Sequence, residues 1–78
     1  MNTNKKIIRI LRKLADGYCL DPAGKYGDSG ILWEFGKPKE WVSIGMMGEL
    51  FSRGFIFHGR NCYEISGEGL RFLDQEAV

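Results

Sequence analysis

Apolar residues recur at helical spacing near the start of the chain. Ile7, Ile8, Ile10, Leu11 and Leu14 fall on one arc when successive residues are turned by about 100°. Lys5, Lys6, Arg9, Arg12 and Lys13 fill the opposite arc, with no anion among them. The pattern predicts an amphipathic helix over residues 4–16. Asn2, Thr3 or Asn4 can supply the N-cap, and Gly17 can end the helix.

Beyond Gly17 the helical spacing stops. Residues 18–20 predict a short strand, and the stretch DPAGKYGDSG, residues 21–30, is dense in turn formers and reads as loop. The run ILWEF, residues 31–35, predicts a second strand closed by Gly36 and Lys37-Pro38, the two strands pairing as a hairpin with a long loop. Ser43 then caps a second helix whose apolar stripe is Ile44, Met47, Leu50 and Phe51, with Met46 at its margin and Gly54 as its stop. Phe55-Ile56-Phe57 and Cys62-Tyr63-Glu64-Ile65 bracket His58-Gly59-Arg60-Asn61, which predicts a β-hairpin. Ser66 can cap a last helix over 67–76, with Leu70, Leu73 and Ala77 on one stripe and Phe72 off it.

A chain of 78 residues, 44% hydrophobic, makes one domain near the lower limit at which a core suffices without staples. No apolar run approaches the roughly 18 residues needed to span a bilayer, and the charged opening segment is not a secretory signal. These features predict a cytoplasmic protein that does not engage membranes, with Cys19 and Cys62 as buried thiols in preference to a disulfide or a two-cysteine metal site. Net charge is only +1, but it is unevenly spread: the five cations of the first helix precede every acidic residue, and the remainder carries six basic against ten acidic residues.

From Val42 to Leu73 the residues fall into a familiar order. Val42-Ser43, Met47, Leu50 and Gly54-Phe55-Ile56 are followed by a turn, then Tyr63-Glu64-Ile65-Ser66, Gly69 and Leu73. This resembles the second half of winged-helix domains, in which a helix ends at a glycine and feeds a two-stranded wing, and it is similar to very short winged-helix proteins of phage and prophage origin. The resemblance implies an α+β fold in the order α-β-β-α-β-β-α, with three helices and a C-terminal β-hairpin wing, in a single domain over 1–78. It also implies a DNA-binding regulator of phage or mobile-element type, for which a homodimer is a natural state. On that reading Lys5, Arg9, Arg12 and Lys13 contact phosphates. Ser43, Ser52 and Arg53 sit at the groove of double-stranded DNA, and His58 and Arg60 lie on the wing.

The second helix is a poor reader of bases. Its outward arc offers Gly45, Gly48, Glu49 and Ser52, with Arg53 at the edge. The glycines make no base contact, Glu49 repels phosphate, and each glycine costs about 0.8–1 kcal/mol of helix propensity relative to alanine. Paired glycines suggest something packed close against the helix, either the domain's own hairpin or a partner. A second reading therefore stands beside the first: a non-enzymatic protein-binding module, such as a phage-encoded inhibitor of a host enzyme or defence complex (anti-CRISPR-like). Its contact surface would be Gly45, Gly48 and Glu49, or the cationic helix set against an acidic protein surface. Trp33 and Trp41 flank Lys37-Pro38-Lys39, an interleaving that can stack bases, although tryptophans in so small a chain are expected in the core.

No enzymatic pattern is present. Gly24-Lys25 lacks the spacing and the Ser/Thr of a phosphate loop, and Gly67-x-Gly69 has no third glycine at dinucleotide spacing. With one histidine, a pairing of His58 and Cys62 is the only nucleophile–base option, and no orienting third group accompanies it. The sequence predicts no catalytic residue, no metal site and no cofactor.

Overall fold

In a computed structural model, residues 3–76 are described, and they form three helices and five strands. The order is α1 (Thr3–Ala15), β1 (Cys19–Ala23), β2 (Ser29–Glu34), β3 (Lys37–Val42), α2 (Ile44–Ser52), β4 (Ile56–His58), β5 (Tyr63–Ile65) and α3 (Gly67–Glu76). All five strands join one antiparallel sheet in the order β3-β2-β1-β5-β4. The fold class is thus α+β, but the predicted order α-β-β-α-β-β-α is wrong. A third strand lies between α1 and α2, and the last hairpin is no free wing: β5 pairs with β1 at Leu20↔Tyr63 and makes the hairpin one end of a continuous sheet.

The missed strand has a physical explanation. Pro38 cannot donate to a ladder, and Lys37, Lys39 and Glu40 are poor strand formers, so the stretch reads as a turn. β3 is an edge strand, where proline and lysine are tolerated and discourage pairing with other chains. A register shift between Leu32 and Trp33 lets β2 continue past Pro38 to the Glu34↔Lys37 pair. The long loop shrinks as well, because β1 runs on to Ala23 and β2 starts at Ser29.

Side-chain alternation sorts the sheet into two faces. Leu20, Leu32, Val42, Ile56 and Tyr63 are buried and pack with Ile7, Ile10, Leu11 and Leu14 of α1 and Met47 and Leu50 of α2. α2 seats tightly on β2, where a Cβ on Gly30 would stand 2.6 Å from the Met47 sulfur. Its ends form as the sequence predicts: the Ser43 side chain accepts from Met46 N, and Gly54 reverses the chain at φ 71°. Gly17 ends α1 at φ 102°. The Ser66 hydroxyl oxygen accepts from Gly69 N at 3.0 Å and starts α3. The predicted stripe of α3 is rotated, however. Leu70 is half exposed, while Gly69 is buried and Phe72 stacks on Phe55 at 4.6 Å. Asn2 as a cap and Ala77 on the stripe lie outside the described residues.

Cys19 and Cys62 are not thiols but a disulfide, with Cα atoms 5.7 Å apart. Each immediately precedes a member of the Leu20↔Tyr63 pair, so the bond lies at the seam where β1 meets β5. That pair is the whole β1–β5 register, so the covalent link supports the thinnest joint of the sheet.

A candidate docking surface on the uncovered sheet face

Residues of the opposite parity face away from the helices. Trp41 pairs with Ile31 across β3–β2, and Ile31 with Asp21 across β2–β1. Trp33, two residues along from Ile31, stands between Cys19 and Pro38. These residues form a contiguous apolar strip over the meander. Ile31 and Trp33 are half-buried, and Trp41 is 56% exposed, its ring reaching toward Gly24 at the β1–β2 turn. The tryptophans expected in the core are therefore on the surface of the sheet.

The β2–β3 turn has two residues, Phe35 and Gly36, at φ 54° and 77°. Positive φ at both positions is the I′ pattern, which matches the twist of a hairpin and favours Asn-Gly or Gly-Gly. Glycine meets it freely at Gly36. At the other position a phenylalanine costs about 1–2 kcal/mol because its Cβ crowds the backbone. The cost brings no burial, since Phe35 is 95% exposed.

Between the turn and the strip lies an open pocket of about 380 Å³ lined by Gly17, Cys19, Asp21, Trp33, Phe35 and Gly36. Asp21 is its one ionisable lining group and joins no ion pair among the described residues. A second local cost sits in the same wall: the indole Nε1–H of Trp33 is buried with no acceptor among the described residues, a loss of about 1–3 kcal/mol for a buried donor.

The groups predicted to bind DNA are placed less favourably. Lys5, Lys6 and Arg12 are exposed and join no ion pair among the described residues, and Lys5 and Arg12 flank Ile8 along the outward side of α1. Arg9 and Lys13 both pair with Glu40 of β3, Lys13 at 3.3 Å. Hydrogen bonding from Arg9, opposed in part by desolvation, holds the Glu40 carboxyl below its ordinary range, and the same bond raises the Arg9 guanidinium. A recess of about 180 Å³ brings Lys6, Arg9 and Ser43 together, with that carboxylate among them. On α2, Ser43 is occupied as the cap, the Ser52 hydroxyl donates to the Glu49 carbonyl at 3.2 Å, and Arg53 pairs with the Glu49 carboxylate at 3.0 Å.

Among the described residues nothing stands within 4 Å of a Cβ built on Gly45 or Gly48, so the domain's own hairpin does not pack there. His58 lies edge-on to Tyr63 at 4.5 Å, in a cluster with Phe51. Arg60 lines a different recess, of about 320 Å³, beside Cys62 and Glu64. Lys5, Arg9, Arg12 and Lys13 line one recess of about 500 Å³ around Ile8, and Ser43 shares a smaller recess with Lys6 and Arg9, whereas Ser52, Arg53, His58 and Arg60 line neither. The strip Ile31, Trp33, Trp41 with Phe35 is the surface that sequence reasoning missed. The available signal was an aromatic residue immediately before a glycine in a two-residue turn. Among the described residues no helix is long and apolar enough to cross a membrane. Comparison with known proteins finds no matching family model, no matching curated protein and no matching solved structure.

Proposed function

We propose that this chain is a non-enzymatic protein-binding module that docks through the uncovered face of its sheet, with Phe35 as the leading contact. The observation that carries the reading is a bulky aromatic held at φ 54° while 95% exposed. Strain at a residue that buries nothing has no return in the folded chain, and such strain gathers at functional positions. The adjoining tryptophan strip supports the same reading, because contiguous exposed apolar surface marks interaction sites whereas isolated exposed residues do not. Against duplex DNA stand two carboxylates, Glu40 and Glu49, set among the cations that would have to meet phosphate. The disulfide supports maturation in oxidising surroundings rather than the cytoplasm expected from the sequence.

Capture of partners from a native lysate, with nuclease present, tests the reading. The wild-type chain should retain a partner that Phe35→Asn loses, while the variant stays folded. Equal capture by both refutes it. A second reading, phosphate binding by α1, is supported by Lys5, Lys6 and Arg12, which are exposed and join no ion pair among the described residues. It predicts binding to random duplex DNA that weakens steeply with salt.

A further inference from the structure

The pocket beneath Phe35 has a chemistry that narrows the partner. Its walls include two aromatic rings, Trp33 and Phe35, and its one charge is the Asp21 carboxylate. Gly17 and Gly36 keep part of the rim free of side chains, and at about 380 Å³ the space takes one long side chain with room for water. Phosphates and carboxylates are repelled by Asp21. A purely apolar side chain would bury that carboxylate without a partner, which is costly.

A planar cation suits both the aromatic residues and the carboxylate, although a guanidinium, which has no acceptor, leaves the Trp33 indole N–H as it is. A guanidinium stacks on aromatic faces, is weakly hydrated, and donates two parallel N–H bonds to a carboxylate. We infer that this pocket receives an arginine side chain presented by the protein that docks on the sheet face. The inference rests on the docking reading above and adds to it the residue type that the partner must supply. Asp21 is suited to the role because it is half-buried on the open face, and among the described residues no cation is paired with it. Lysine fits less well, since a strongly hydrated point charge gains less from two ring faces.

The test uses the full, disulfide-bonded chain and N-acetyl-arginine amide as probe, followed by two-dimensional NMR. The neutral isostere N-acetyl-citrulline amide serves as control. Arginine should shift Cys19, Asp21, Phe35, Gly36 and the Trp33 signals in a saturable way, and citrulline should bind at least about tenfold more weakly. Asp21→Asn should weaken arginine binding by about fivefold or more with an otherwise unchanged spectrum. An equal response to citrulline, shifts centred on Glu64 or Glu68 instead, or tighter binding of adenosine at the same residues each overturns the assignment. The two levels fail separately. If arginine does not bind while Phe35→Asn still loses its partner, the cation pocket falls and the docking face stands. If Phe35→Asn keeps its partner, the docking face itself falls.

Discussion

Replacing Phe35 by asparagine should make the protein more stable. Asparagine tolerates the left-handed region far better than phenylalanine, so the substitution recovers about 1 kcal/mol of backbone strain at φ 54°. The loss on the other side is small. A phenylalanine presents about 200 Å² of surface, and the ring is 95% exposed, leaving about 10 Å² to lose, or about 0.25 kcal/mol at 25 cal/mol per Å². The net gain is about 0.75 kcal/mol. For a domain of this size each kilocalorie moves the melting temperature by about 4–8 °C, so the midpoint should rise by about 3–6 °C.

Differential scanning calorimetry on both proteins, disulfide intact, reads this directly. The informative result is the combination of a higher midpoint with lost partner capture, because a packing role and a display role then separate by sign. A midpoint that falls would mean that the ring stabilises the fold after all. The αL phenylalanine would then be an ordinary packing residue, and the reasoning that links its strain to docking would be refuted.

Four further outcomes follow from other parts of the fold. Gly48→Ala should stabilise α2 by up to about 1 kcal/mol in thermal unfolding and leave partner capture intact, since the added methyl meets nothing within 4 Å; loss of capture would instead place the partner on α2. Gly69→Ala should destabilise by about 1–3 kcal/mol in urea unfolding, because its Cβ would stand 2.5 Å from the Phe55 carbonyl oxygen and 2.8 Å from an Ile65 carbon. Reducing the Cys19–Cys62 bond, which links positions 43 residues apart, should cost about 4 kcal/mol in the chain-entropy account and lower the melting temperature by roughly 15–30 °C in a scan with and without reductant. Glu40→Gln should cost at most about 1 kcal/mol near neutral pH, as expected for a partly exposed pair; because the folded-state carboxyl titrates below its ordinary 4.5, this contribution is present above that value and fades as pH falls below it, so melting curves of the two proteins should converge in acid.

The helices were readable because each carries its own punctuation. α1 has a full apolar arc and Gly17, α2 has Ser43 and Gly54, and α3 has Ser66; all of these act within a few residues of the elements they bound. β3 was not readable, because what makes Lys37-Pro38-Lys39-Glu40 a strand is the neighbouring β2 and a bulge, neither of which leaves a local mark. The disulfide depended on the same long-range fact: Cys19 and Cys62 are joined only because β5 returns to lie beside β1. The cationic arc of α1 lies at the surface as its pattern predicts, but the pairing of Arg9 and Lys13 with Glu40 depends on β3, which the pattern does not reveal.

The two glycines of α2 and the phenylalanine of the β2–β3 turn make an instructive pair. Each breaks a local rule, and sequence alone gives the glycines more weight, since two of them recur within one helix. Structure reverses that order. Gly45 and Gly48 face open space, so their cost of about 1 kcal/mol each is a loss of helix propensity with no contact attached to it. Phe35 is strained beside a second uncompensated group, the Trp33 indole, and beside an unpaired carboxylate. These costs meet at one pocket, and no contact among the described residues offsets them. On the proposed reading, a partner that stacks on the rings and neutralises Asp21 would offset the strain and the unpaired charge, while the indole donor would need an acceptor of its own. Exposed Ile44 and Leu70 on the helices lack any such convergence, so they remain ordinary exposed residues. Phe35→Asn in the turn and Gly48→Ala in α2 should accordingly behave alike in the calorimeter and oppositely in partner capture.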